Sequence, residues 1–277
     1  MSEITDPDYL LNNQYRDADK LQARINLHRR FSTNHEPWQR WVFDHFQFAG
    51  QARVLELGCG PGDLWVDNAA RVPADWRVIL SDFSPGMLAE AVRSLERLSC
   101  PLWFALVDAQ AIPFPASSFQ AVIANHMLYH TSDRAKAFAE IHRVLLPEGF
   151  LYATTVGAQH MNQLHDLVRR FDPAAARQFP ADVNLFTLEN GSEQLAPWFP
   201  EVEVHQQDSD LIVTEVKPLV DYILSSVRLG ADEEARPELT GFIRREMVQN
   251  GGAIRINKAN GIFIARKAGN NTSGYPT

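Results

Sequence analysis

Three glycines at alternate positions, Gly58, Gly60 and Gly62, follow the apolar run VLEL, with the carboxylates Glu56 and Asp63 on either side of them. A glycine turn directly after a buried strand lets a ligand approach backbone N–H groups, and a helix starting there presents its positive end to the same spot. Asp82 stands 26 residues beyond Glu56, at the end of the next apolar run, WRVILSD. A carboxylate at that place can accept hydrogen bonds from a ribose. Together these residues indicate a nucleoside-containing ligand. A dinucleotide fingerprint beginning at Gly58 would require glycine at position 63, where this chain has Asp63. An added acid suits a pyrophosphate poorly but suits a ligand with a cationic amino-acid end, and Glu56 points the same way.

A second group lies at the end of a fourth apolar run, SFQAVIANHML. His126, Tyr129 and His130 fall at or just beyond its carboxyl end, where open α/β sheets place their sites. Histidine is the side chain best poised near neutral pH to take a proton from an oxygen acceptor. His130 is the first choice for that base, His126 the second, and Tyr129 a polar handle or a packed aromatic. His160, just after the fifth apolar run, can face the same pocket. Arg24 and Arg30 can either bind a ligand carboxylate or remain solvated at the surface. Cys59 and Cys100 are the only cysteines, and no His/Cys/carboxylate set has metal-ligand spacing.

These side chains need a frame, and the sequence alternates in the manner of one. ARVLELG, WRVILSD, PLWFALVD, SFQAVIANHML and GFLYATTVG read as strands. Helical segments lie between them, one running through Leu64 to Ala70. Another follows Ser84 as N-cap with Pro85 in its first position, and a third is capped by Thr131 or Ser132 and ends by Pro147. Such a series predicts a mostly parallel sheet with helices on both faces and right-handed crossovers. Before it, KLQARINLHRRF places Leu21, Ile25 and His28 on one helical face, and PWQRWVFDHF carries an apolar stripe of Trp38, Trp41, Val42 and Phe46. Both read as helices packed on the main fold or as a lid. After Gly157 a helix near Met161–Phe171 leads to strand-like EVEVHQ and DLIVTEV. KPLVDYILSSVRL and ELTGFIRREMV look helical, and AIRINKANGIFIARK reads as a hairpin or strand segment. The expected organisation is an N-terminal helical lid over 1–50, a ligand-binding core over 51–157, sheet completion and a substrate cap over 158–268, and a flexible tail over 269–277.

The 277 residues carry 26 basic and 34 acidic side chains, a formal charge of −8. That balance disfavours nucleic acid as a partner. The polar start MSEITDPDYL is unlike a secretory signal, and no apolar run approaches the roughly 20 residues of a membrane span. A cytoplasmic protein without membrane insertion is expected, its oligomeric state left open.

VLELGCGPG resembles the first motif of class I S-adenosylmethionine-dependent methyltransferases, in the small-molecule group related to the ubiquinone/menaquinone C-methyltransferases. VILSDFSPGMLAEA, VDAQAIPFPASSFQAVIANHMLYH and EIHRVLLPEGFLYATT extend the likeness over about Arg53 to Val156. The resemblance implies an α/β, Rossmann-like class I sheet with a small helical cap, and S-adenosyl-L-methionine as cofactor. It implies that Gly58, Cys59, Gly60 and Gly62 lie beneath the methionyl part, supported by Glu56. Asp82 would hold the ribose, Phe83 and Met87 would border the adenine, and Asp108 would accept from its amino group beside Ala109. Asn125 and His126 would pass near the methionyl group, and Tyr15 would close over it. The one departure is Glu148, where similar proteins often have glycine. The implied activity is methyl transfer to O, N or C of a small molecule. Alternatives are an RNA or protein methyltransferase and a non-methylating nucleoside- or dinucleotide-binding module.

Overall fold

The computed structural model describes residues 19–48, 50–96, 100–178, 185–226 and 232–269. Tyr15 and residues 270–277 of the expected tail lie outside them. The strands are β1 Arg53–Leu57, β2 Arg77–Asp82, β3 Leu102–Leu106, β4 Phe119–Asn125, β5 Leu145–Val156, β6 Glu201–Gln207, β7 Asp210–Val213, β8 Ile254–Asn257 and β9 Asn260–Arg266. Seven of them form one sheet in the order β3-β2-β1-β4-β5-β9-β6. β1 to β5 are parallel, and β9 runs antiparallel between β5 and β6. This is the Rossmann-like arrangement that the alternating sequence predicts. Strand order reverses at β1 and β4, so a crevice opens at their carboxyl ends. Glu56, the glycine turn and Asn125 all fall there.

Alternation along β1 divides its side chains between the two faces of the sheet. Leu55 and Leu57 join one core with Val122, Ala124, Phe138 and Phe263. Val54 joins the other with Val78, Leu80, Ile123 and Trp65. Glu56 has the parity of Val54, so a carboxylate occupies a core position. The helices beside the sheet include α2 Trp38–Asp44, α3 Asp63–Asp67, α4 Pro85–Ser94, α5 Arg134–Val144 and α7 Gly191–Leu195, while α1 Asp19–Phe31, α6 Asn162–Phe171, α8 Val216–Ser226 and α9 Asp232–Gln249 belong to the cap. As expected, Ser84 caps α4, its hydroxyl accepting from the Met87 amide at 3.3 Å.

Three local expectations change. The cap of α5 is Asp133, which accepts from the Lys136 amide at 3.0 Å, in place of Thr131 or Ser132. A carboxylate gains more than a hydroxyl from the positive helix end. α3 stops at Asp67, short of Ala70, where the Asn68 amide turns back onto Val66. The segment AIRINKANGIFIARK is no hairpin: β8 pairs with β7 in a separate two-stranded sheet, and β9 enters the main sheet. Glu148 adopts a left-handed φ of +63°. Glycine takes up that conformation without strain, whereas a glutamate there is strained.

The cap has its own core. Leu27 of α1, Leu164 and Val168 of α6, Leu211 of β7, Leu219 and Ile223 of α8, Leu239 and Ile243 of α9 and Ile256 of β8 bury one another. Segments nearly two hundred residues apart therefore meet: α1 packs chiefly on α8 and β7. By contrast α2 belongs to the main domain, with Val42 in the core beside Trp65 and Trp76. Of the lid expected over 1–50, the described helix α1 packs in the cap and α2 on the main sheet.

Candidate active site

The turn after β1 is held left-handed at each glycine, with φ of +67° at Gly58, +54° at Gly60 and +87° at Gly62. A Cβ on Gly58 would lie 2.8 Å from the Met127 Cβ, and one on Gly62 would lie 2.7 Å from the Leu95 Cδ1. A Cβ on Gly60 would meet nothing within 4 Å. The outer glycines therefore allow packing of the turn, while the middle one borders open space. Asp82 anchors it from β2: its Oδ2 accepts from the Gly60 amide at 2.9 Å and its Oδ1 from the Ser84 amide at 2.8 Å.

Glu56 is 1% exposed. It accepts from Trp65 Nε1 at 2.5 Å and from Asn125 Nδ2 at 3.2 Å. Burial pushes its carboxyl up to about 7, helped by the negative charges of Asp82 and Asp63 and opposed by the two hydrogen bonds. Burial also raises Asp82 and Asp63. The Cys59 thiol stands well above its ordinary value through burial and then the charges of Glu56 and Asp82, so it is an inert neutral group. This end of the crevice is rich in acid and fits a cationic ligand group.

Along the same rim Phe83 is exposed, whereas Met87 is buried at 1%. The Asp108 Oδ1 accepts from the Gln110 amide at 2.8 Å, and Ala109 beside it is buried. Asn125 links the two halves of the site: its Nδ2 donates to Glu56 and its Oδ1 accepts from Thr154 Oγ1 at 3.2 Å.

His126 follows in a left-handed conformation, φ +48°. Its amide donates to both the carbonyl and the hydroxyl of Thr154, at 3.2 and 3.0 Å, which holds the strained backbone in place. Its ring lies 5.3 Å from Trp38 and 6.4 Å from Tyr129, and Tyr129 meets His130 edge-on at 4.5 Å. Residues 128–130 form a single 3-10 turn. Burial, then the charges of His130 and Lys258, lowers His126 to about 4. From the cap, His28 stacks on His160 at 6.3 Å and meets Tyr222 at 5.8 Å. Burial, then Lys258 and His126, lowers His28 to about 3, and His160 lies well below its ordinary value for the same chief reason. These imidazoles are neutral at pH 7, hence useful hydrogen-bonding groups but weak bases.

Residues 54–149 match the family profile described as methyltransferase domain. The sheet around that segment has the Rossmann-like class I methyltransferase fold. The chain is 37% identical over 114 residues to demethylmenaquinone methyltransferase of Thermus thermophilus, covering 41% of this chain and 51% of that one. It is 32% identical over 171 residues to malonyl-[acyl-carrier protein] O-methyltransferase of Enterobacter lignolyticus, covering 60% and 56%. The chain thus spans about half the length of these curated relatives. Phosphoethanolamine N-methyltransferase 2 of Haemonchus contortus, solved with S-adenosyl-L-methionine, shares the fold at 20% identity, with a TM-score of 0.59 over 95% of this chain and 60% of that one.

In this methyltransferase domain most of the residues singled out in the sequence converge. Glu56 with Asn125 and Asp82 with Gly60 form two neighbouring hydrogen-bonded pairs, and His126, Tyr129 and His130 form an aromatic group. Arg30 does not join them: it pairs with Glu215 in a surface groove beside Thr33 and Thr214. Arg24 turns to the cap, donating to the Ser225 carbonyl at 2.6 Å. His28, Trp38, Tyr222 and Lys258 were not among the sequence candidates. A polar ring amid the apolar face of KLQARINLHRRF was the available signal for His28; nothing local marked Lys258. Among the described residues no group of three or more His, Cys, Asp or Glu side chains is placed to hold a metal. Among them, too, no helix is long and apolar enough to cross a membrane.

Proposed function

We propose that the chain transfers a methyl group from S-adenosyl-L-methionine to O, N or C of a small-molecule acceptor, in the group related to the quinone C-methyltransferases. The carrying observation is the pair of neighbouring carboxylates, Glu56 and Asp82, with Asp82 bound to Gly60, where an added Cβ would meet nothing within 4 Å. An anionic crevice with a glycine floor fits a ligand that is cationic at its amino-acid end and carries a ribose diol. The cofactor supplies an electrophilic methyl on a sulfonium.

The residues then divide the work. Ionised Glu56 attracts the ammonium group, and Asp82 accepts from the ribose hydroxyls while keeping Gly60 in place. Exposed Phe83 borders the adenine, and Asp108 with the Ala109 backbone reads its edge. His126 and Tyr129 orient the acceptor, since alignment contributes much of the rate of such a transfer. The methyl would pass to the acceptor as its bond to sulfur breaks, leaving a neutral thioether, and His130 would take the proton that an oxygen or nitrogen acceptor must lose. The charge of −8 argues for a small molecule over RNA. Two buried free cysteines suit a cytoplasmic setting.

Calorimetry with S-adenosylmethionine, its demethylated product and NAD tests the cofactor; preference for NAD would overturn it. Incubation with methyl-labelled cofactor and an acceptor panel then tests transfer. His130→Ala should lose turnover while binding cofactor as before, and undiminished turnover would remove His130 as the base.

A further inference from the structure

Between the methyltransferase core and the cap, the chain passes from β8 into β9 through Lys258 and Ala259. This crossing is tied to the turn after β5. The Gly157 amide donates to the Ala259 carbonyl at 2.8 Å, and the Met161 amide donates to the Asn257 carbonyl at 3.1 Å. Lys258 is thus fixed from both sides, on a backbone shared by two sheets.

The Ala259 amide also donates to Nδ1 of His160 at 3.1 Å. Nδ1 must therefore carry the lone pair. In the neutral ring the proton is on Nε2, which makes His160 a donor away from the backbone. One cation, Lys258, acts on His28, His126 and His160 alike. Lys258 itself feels Asp210, which also faces Arg255 at 3.8 Å, and its ammonium donates to the Ser209 hydroxyl at 3.1 Å. One turn before His28, the Nε of Arg24 is buried with no hydrogen-bond partner among the described residues. An ammonium and several imidazole rings gather at a domain junction, with aromatic walls from Trp38 and Tyr222, and among the described residues the one carboxylate acting on that ammonium, Asp210, also faces Arg255.

We propose that this junction is the acceptor site and that it takes a small molecule bearing an anionic oxygen group, a carboxylate or a phosphate monoester, held against Lys258 with the histidines as neutral donors. The proposal rests on the methyltransferase reading, because His126 joins this junction to the cofactor end through Asn125 and Glu56. Lys258 is pulled down to about 8 by burial, so it keeps its charge at pH 7, and a bound anion would raise it again. An anion in partly desolvated surroundings is also held more strongly by the ammonium than it would be in water.

The test uses the full chain saturated with S-adenosylhomocysteine. Benzoate, phenylacetate, cinnamate and hexanoate are each compared with the corresponding primary amide, with phenyl phosphate as a further arm, by ligand-observed NMR. The expected result is binding of acids in preference to amides, with affinity falling as pH rises above about 8. Stronger binding of phenyl phosphate than of the acids would assign the phosphate form, and the reverse the carboxylate form. Lys258→Met should weaken anion binding at least about tenfold and leave S-adenosylhomocysteine affinity unchanged, whereas Lys258→Arg should retain it. Equal binding of acids and amides, absence of acid binding, or anion affinity unchanged in Lys258→Met would overturn the proposal. Failure of S-adenosylhomocysteine to bind would instead strike the methyltransferase reading, and the anion arms would still be read on the protein alone.

Discussion

The Asp82 carboxylate accepts the Gly60 amide at 2.9 Å, joining the carboxyl end of β2 to the turn that follows β1. One side chain thereby shapes the glycine floor and presents acceptor oxygens to the crevice. Asp82→Ala removes both, along with the partner of the Ser84 amide. The expected result is a loss of S-adenosylmethionine affinity of about 1.5–3 kcal/mol per charged hydrogen bond. Titration calorimetry on the folded variant measures it, and unchanged affinity would remove the ribose role.

The three glycines should separate by what an added methyl meets. Gly58→Ala and Gly62→Ala combine a left-handed φ with contacts of 2.8 and 2.7 Å. Each should destabilise the domain by about 2–4 kcal/mol, as strain and overpacking together cost. Gly60→Ala faces open space, so its cost to folding should be only about 1 kcal/mol. Its chief effect should be on cofactor binding. Thermal unfolding and calorimetry on the three variants check the division.

Glu56 makes cofactor binding depend on pH. Its folded value near 7 lies above the ordinary 4.5, so the carboxyl is increasingly neutral as pH falls below 7. A cationic ligand favours the ionised form and must expel that proton. Affinity should therefore drop on acidification, by at most tenfold per pH unit. Binding near pH 6.5 should release a proton, measured by calorimetry in buffers of different ionisation enthalpy. Glu56→Gln should abolish the release. The same shift favours the protonated fold, so its stabilising contribution is present below 4.5 and lost as pH rises through 7.

His28 and His126 act in the opposite sense. Their folded values of about 3 and 4 lie below the ordinary 6.5, so the unfolded chain takes up protons first on acidification. Stability from their neutral burial is complete above 6.5 and is lost as pH falls toward 4 and then 3. By pH 5 the loss should be about 1–2 kcal/mol per histidine. Urea denaturation across that window measures it, and His28→Leu should flatten the dependence by one histidine's share.

The sequence by itself determined the parallel core and the glycine turn beside Glu56 and Asp82. These parts are local: an apolar strand, a glycine turn and a helix follow one another in VLELGCGPGDLW, and Asp82 ends the next strand in a parallel sheet whose register aligns Leu57 with Ser81. Residues that close in sequence keep their relative places once the strands pair. Lys258 and His160 are nearly a hundred positions apart, and His28 lies still farther from Lys258. Their meeting depends on the segment AIRINKANGIFIARK dividing between two sheets and on α1 packing against α8. Only burial against partners distant in the chain decides such matters, because an apolar helix face records that it will be covered without recording by what. The glycine turn with Glu56 and Asp82 was therefore legible in the chain, and the junction around Lys258 took its form from the tertiary fold.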